Sequence, residues 1–165
     1  MNPNANDSAP HAVTDGDMIL ASAEINASPE RVFQALTTKE NESWWGAPDT
    51  YLIREWQADL QVGGRYSLNV VKADSPRLPT TGVFLKVDAP HTLSLTQRYE
   101  FDFPPLGWRD TVITYRLTPT ATGTHLVVRH EGFGPARDAA EYHATGWERT
   151  LGYMQAYFNR ARAAA

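Results

Sequence analysis

Residues 138–162 read DAAEYHATGWERTLGYMQAYFNRAR, and this stretch decides the fold. Trp147, Leu151, Met154 and Phe158 recur at steps of four, three and four, which places them on one face of an α-helix. Asp138-Ala139-Ala140-Glu141 has the spacing of a capping box, so the helix is expected to start there. Arg160 and Arg162 fall in its last turn, where cations suit the negative end of the helix dipole. At 1.5 Å per residue the helix runs about 36 Å, enough to span a whole sheet.

The residues before it supply that sheet. Residues 124–131 and 108–118 alternate around Thr120-Ala121-Thr122-Gly123 and read as a hairpin. Residues 92–101, 81–87, 65–72 and 51–60 read as four more strands, with Gly63-Gly64 marking a turn that favours positive φ. Residues 18–26 form the first strand. After it, Ser28-Pro29-Glu30 has the chemistry of a helix start: a capping hydroxyl, a proline at the first position and an acid in the first turn. Residues 40–46 read as a second short helix carrying Trp44 and Trp45, which cannot both face inward. Successive strands with short turns predict a curved antiparallel sheet of seven strands. The long amphipathic helix is the one element able to cover its concave face. The expected class is therefore α+β.

Composition narrows the function. The chain has 165 residues, 15 Lys and Arg against 19 Asp and Glu, and no cysteine. A disulfide framework, a thiolate nucleophile and Cys-ligated metals are excluded. A net charge of −4 argues against nucleic acid, whose binders carry a basic face. No apolar run reaches the about 20 residues of a membrane span. Residues 1–17 are polar and low in hydrophobicity, without the basic and apolar regions of a secretory signal, and read as a disordered leader. Residues 18–165 then form one domain, expected in the cytoplasm. Neither a metal nor another cofactor is expected. The five histidines lack ligand spacing, and His130 and Glu131, adjacent on a strand, point to opposite faces. No Gly-x-Ser-x-Gly occurs.

The remaining polar chemistry rests on His, Tyr and Arg. His130 shares parity with Leu126 and Val128. It either meets a ligand or is a core histidine satisfied by a neighbour. Arg54 shares parity with Trp56 and Leu60. It either points into an apolar cavity, needing a carboxylate or an anionic ligand group, or reaches water at a strand end. His143, Gly146, Thr150, Tyr153 and Tyr157 make a second helical stripe suited to a pocket wall. Gly146 and Gly152 each cost a helix about 1 kcal/mol relative to Ala, which asks for either close approach of the sheet or room for a ligand.

Several motifs along the chain carry a family resemblance. These are Ala27-Ser28-Pro29-Glu30-Arg31-Val32-Phe33, Trp44-Trp45-Gly46, and the turn from Asp59 through Gly63-Gly64-Arg65-Tyr66. They continue with Gly123-Thr124-His125-Leu126, His130-Glu131-Gly132-Phe133 and Gly146-Trp147. Together they resemble the SRPBCC, or START-like, superfamily, in the branch related to the C-terminal domain of heat-shock-protein-90 ATPase activators. The resemblance implies a helix-grip fold: a seven-stranded antiparallel sheet around a long C-terminal helix, enclosing a cavity for apolar ligands.

The expected function is therefore binding of a small apolar or amphipathic molecule. Its contacts would be Trp56, Tyr66, Leu68, Phe84, His130, Thr150, Tyr153 and Tyr157, with Arg54 or His130 orienting a polar end. The resemblance implies two alternatives. One is a polyketide cyclase or aromatase using His130 and Tyr153 as acid and base. The other is a regulator of a chaperone ATPase. A homodimer is left open.

Overall fold

The computed structural model describes residues 8–104 and 106–165. The leader expected over residues 1–17 lies partly outside that range, in residues 1–7. What is described of it is ordered: His11–Asp15 forms β1, paired antiparallel with β2 (Met18–Ile25). The loop between them is Gly16-Asp17, and Gly16 takes φ +63°. A glycine with positive φ at the first loop position suits a two-residue hairpin. The polar composition of this segment misled because an edge strand needs backbone partners more than apolar side chains. The Ala12 N–H also donates to Glu148 Oε1 at 3.0 Å, and Gln155 Nε2 donates to the Ser8 carbonyl.

Two short helices follow, α1 (Pro29–Thr37) and α2 (Asn41–Trp44). The Ser28 side chain caps α1 by accepting from the Arg31 N–H, with Pro29 and Glu30 in the first turn. Six strands complete the sheet after a two-residue strand, β3 (Gly46–Ala47). They are β4 (Tyr51–Ala58), β5 (Arg65–Val71), β6 (Leu78–Asp88), β7 (Thr92–Tyr99), β8 (Thr111–Pro119) and β9 (Thr124–Glu131). The order is β1-β2-β9-β8-β7-β6-β5-β4-β3, and every pair is antiparallel. The sheet thus has nine strands rather than seven. The two additions, β1 and β3, extend its two edges.

The last helix, α3, runs Arg137–Ala163. Its cap is Ala136, which makes no side-chain bond, so the Asp138–Glu141 capping box does not form. The cap lies two residues earlier than expected, which puts Asp138 inside the first turn, where it still favours the positive end of the dipole. Trp147, Leu151, Met154 and Phe158 are all buried, as the helical spacing predicts. The α3 backbone comes close to β1 and β2 along one edge and to α2 and β3 at the other. Between these grips the middle strands stand further off, and side chains have to fill the space.

Candidate functional site

They do not fill it completely. A cavity of about 270 Å³ lies between α3 and the sheet. Its sheet side is built by Tyr51 and Ile53 of β4, Leu68 and Val70 of β5, Leu78 and Thr80 of β6, and Gln97 and Tyr99 of β7. Phe101 and Phe103, just past β7, continue that wall. The helix side is His143, Gly146, Trp147 and Thr150, with Trp45 closing one flank and Tyr142 another. Lys72, Arg149 and Thr145 stand on the rim and are exposed.

The aromatic wall is continuous. The Trp45 ring lies 5.8 Å from that of Trp147, and the Tyr99 ring lies 4.9 Å from that of Phe103. These separations are within the range for tilted and offset ring pairs. Trp44 is buried, its indole N–H donating to the Ala35 carbonyl at 2.9 Å, while Trp45 faces the cavity.

Gly146 leaves space rather than allowing close packing. A Cβ built there meets nothing within 4 Å, and the same holds at Gly152. Of the two, Gly146 lines the cavity.

His130 touches the cavity wall, yet both its nitrogens are committed. The Trp147 indole N–H donates to Nδ1 at 3.0 Å. Nδ1 is therefore the acceptor, and the proton sits on Nε2. Nε2 donates to Thr111 Oγ1 at 2.8 Å. The residue is 1% exposed. Burial, reinforced by nearby His143, holds its pKa well below the usual histidine value, so it is neutral. His130 thus has the bonding of a satisfied core histidine.

His143 is arranged differently. Its Nδ1–H donates to the Ala139 carbonyl at 2.7 Å, leaving Nε2 as an acceptor. The Tyr99 hydroxyl donates to Nε2 at 2.9 Å. Burial lowers the His143 pKa, partly offset by the Ala139 bond. Burial also pushes the Tyr99 phenol up. The pair is neutral, hydrogen-bonded and in the cavity wall. A third polar group completes the interior. Thr80 is 3% exposed, and its hydroxyl has no hydrogen-bond partner among the described residues. A buried hydroxyl without a partner costs free energy. The described residues hold no group of three His, Asp or Glu placed to bind a metal ion.

Of the residues expected at the site, Leu68, His130 and Thr150 line the cavity. Thr150 shares a hydrogen bond with the Tyr51 hydroxyl at 3.1 Å. The others lie elsewhere, for two physical reasons. The first is a β-bulge. The pairing of β4 with β5 slips between Arg54 and Gln57, and Glu55 takes φ +59°. A bulge breaks the period of two. Tyr51 and Ile53 therefore face the cavity, while Arg54 faces away and donates to the Glu42 and Ile53 carbonyls. Beyond the bulge Trp56 turns inward, but onto Tyr66, with ring centres 5.4 Å apart.

The second reason is local bonding. Tyr66 lies across Gly82, where a Cβ would fall 2.4 Å from the ring, and its hydroxyl donates to the Thr96 carbonyl at 2.7 Å. Phe84 is packed against it in the closed part of the core. Tyr153 shares a hydrogen bond with Thr50, and Tyr157 donates to Glu40, which Arg31 also pairs. Arg31 and Tyr157 together hold the Glu40 carboxyl below its usual range.

Sequence reading missed Trp45, Thr80, Tyr99, Phe101 and Phe103 as lining residues. Tyr99, Phe101 and Phe103 alternate at a period of two, and that signal could have found them. Thr80 carried no such signal.

Solved structures agree on this architecture. A Rhodobacter sphaeroides protein superposes with a TM-score of 0.78 at 21% identity, covering 92% of this chain and 99% of its own. A Chromobacterium violaceum protein reaches 0.74 at 23%, over 86% and 97%. A Mesorhizobium loti protein reaches 0.69 at 26%, over 87% and 97%. Among curated proteins nothing matches the chain. At the described residues no helix is long and apolar enough to cross a membrane. A family model, the Activator of Hsp90 ATPase homolog 1-like protein, matches residues 26–159, and the chain belongs to that family.

Proposed function

We propose that the protein binds a small, mostly aromatic molecule in the cavity between α3 and the sheet. The observation that carries this is the cavity itself, walled by Trp45, Tyr99, Phe101, Phe103 and Trp147 around the unpartnered Thr80 hydroxyl. An apolar pocket with a few convergent polar groups is the usual form of a small-molecule site. The volume of about 270 Å³ lies just below the usual range of such sites, which starts at about 300 Å³, so the ligand is small. Leu68, His130 and Thr150 are the expected contacts retained in this reading.

The test uses the two cavity tryptophans as reporters. Titration with naphthol should quench tryptophan fluorescence saturably and raise the unfolding temperature. Gly146→Leu, which would fill the space, should abolish both effects while the protein stays folded. Absence of quenching and of any thermal shift in the unaltered protein would remove the reading.

A second reading is favoured by the Tyr99–His143 contact at 2.9 Å. Neutral His143 Nε2 can take a proton from a bound molecule through the Tyr99 hydroxyl, as a general base does. His130 is less suited, since its one acceptor nitrogen takes the Trp147 indole N–H, which relays no proton, and Tyr153 does not line the cavity. This reading expects turnover of an enolisable aromatic ketone that is lost in Tyr99→Phe and that falls in acid only below the usual histidine range, since burial lowers the His143 pKa. Equal rates in Tyr99→Phe and the unaltered protein would dismiss it.

A further inference from the structure

The charge around the cavity is one-sided. The chain as a whole is acidic, with 19 Asp and Glu against 15 Lys and Arg. The cavity wall reverses that balance: it includes Lys72 and Arg149 and contains no Asp or Glu. Both cations are exposed at the rim, and neither takes part in an ion pair among the described residues. Some arginines elsewhere are ion-paired, as Arg31 with Glu40 and Arg98 with Asp110, so pairing is open to such groups and is not made at this rim. Two unpaired cations beside an apolar opening raise the local concentration of anions and give a carboxylate its charge-assisted bonds.

The interior sets the rest of the ligand. Aromatic walls favour an aromatic body, through offset and edge-to-face contacts. An apolar cavity of about 150 Å³ accepts benzene. The about 270 Å³ available here leaves room for a second ring. The Thr80 hydroxyl, buried and unpartnered, offers a hydrogen bond to one more polar group. It lies away from the rim, paired through the sheet with Leu68 on one side and Tyr99 on the other.

We propose that the cavity selects a hydroxylated aromatic carboxylate of one or two rings. Its carboxylate is held at the rim by Lys72 and Arg149, and its ring hydroxyl meets Thr80. This rests on the ligand-binding reading above and adds the ligand's charge and polar pattern.

Calorimetric titration of the full chain at neutral pH tests it. The probes are hydroxynaphthoate, naphthoate, naphthol and octanoate, at low and high salt. The variants are Lys72→Gln with Arg149→Gln, and Thr80→Val. Hydroxynaphthoate should bind at least about tenfold more tightly than naphthol at low salt, and the preference should shrink as salt screens the rim. The double variant should bring the two to within about twofold without weakening naphthol, whose binding also reports an intact cavity. Thr80→Val should weaken hydroxynaphthoate about fivefold and leave naphthoate unchanged. Equal binding of naphthol and hydroxynaphthoate, or a preference that survives the double variant, overturns the proposal while the binding reading stands. Tighter binding of octanoate than of naphthoate overturns the aromatic assignment. If no probe binds, naphthol included, the binding reading fails as well.

Discussion

Replacing Gly146 by Ala separates two roles that a helical glycine can have. In a helix interior Gly is less favourable than Ala by about 0.8–1 kcal/mol, because the unfolded chain loses more freedom on ordering. Neither Gly146 nor Gly152 has a neighbour within 4 Å of a built Cβ. Both substitutions should therefore stabilise the unliganded protein by about 1 kcal/mol, a rise of roughly 2–4 °C in melting temperature for a chain of this size. Their effects on binding should differ. A methyl group takes about the room of a water molecule, roughly 30 Å³. At Gly146 that removes about a tenth of a cavity of about 270 Å³. At Gly152, which does not line the cavity, it removes none. The assay is thermal unfolding of each variant together with naphthol titration by tryptophan quenching. Both variants should melt higher, and Gly146→Ala alone should bind more weakly. Destabilisation by Gly146→Ala would refute the reasoning, since it would mean that the sheet does approach the helix there. Unchanged binding in that variant would show that this stretch of α3 does not wall the ligand space.

Three further outcomes are expected. His130 and His143 are both buried with lowered pKa values, so between their folded and unfolded pKa values the unfolded chain binds more protons. Their contribution to stability is therefore full above about pH 6.5 and falls as the pH drops, by up to about 1.4 kcal/mol per pH unit for each; urea unfolding at about pH 7.5 and about pH 5.5 should differ accordingly, and equal midpoints would contradict the burial argument. Trp147→Phe removes the donor to His130 Nδ1 and leaves that nitrogen buried without a partner, at a cost of about 1–3 kcal/mol in denaturant unfolding. Gly82→Ala would place a Cβ 1.9 Å from the Thr96 carbonyl oxygen and 2.4 Å from the Tyr66 ring. It should cost more than about 3 kcal/mol, visible as failure to fold or a large fall in melting temperature, and a mild effect would mean that β6 and β7 shift easily.

The local features were legible because their causes are local. The stripe Trp147–Leu151–Met154–Phe158 needs only the helical period, and the Ser28 cap needs only its near neighbours. The strand sequence from β4 to β9 followed from alternation and turn residues, and the inward face of β9, with Leu126, Val128 and His130, followed from parity. Parity failed on β4, where the bulge at Glu55 exchanged the faces of Arg54 and its neighbours. A bulge is decided by pairing with another strand, which the strand's own residues do not encode. The same limit hid β1, whose partners lie across the hairpin and on α3.

By itself, the sequence determined that a long amphipathic helix covers an antiparallel sheet, and that a chain without cysteine has no thiol chemistry inside. It also marked Gly146 as a helix position in need of a reason. The tertiary structure decided that the sheet does not approach closely there, because the space beside Gly146 depends on how far the middle strands stand from α3. It likewise decided that His130 is bonded to Trp147 and Thr111, that His143 meets Tyr99, and that Thr80 is buried without a partner. Each of these depends on side chains far apart in sequence. Periodicity places a residue on a face, but only the packed molecule brings two faces together around an unfilled volume.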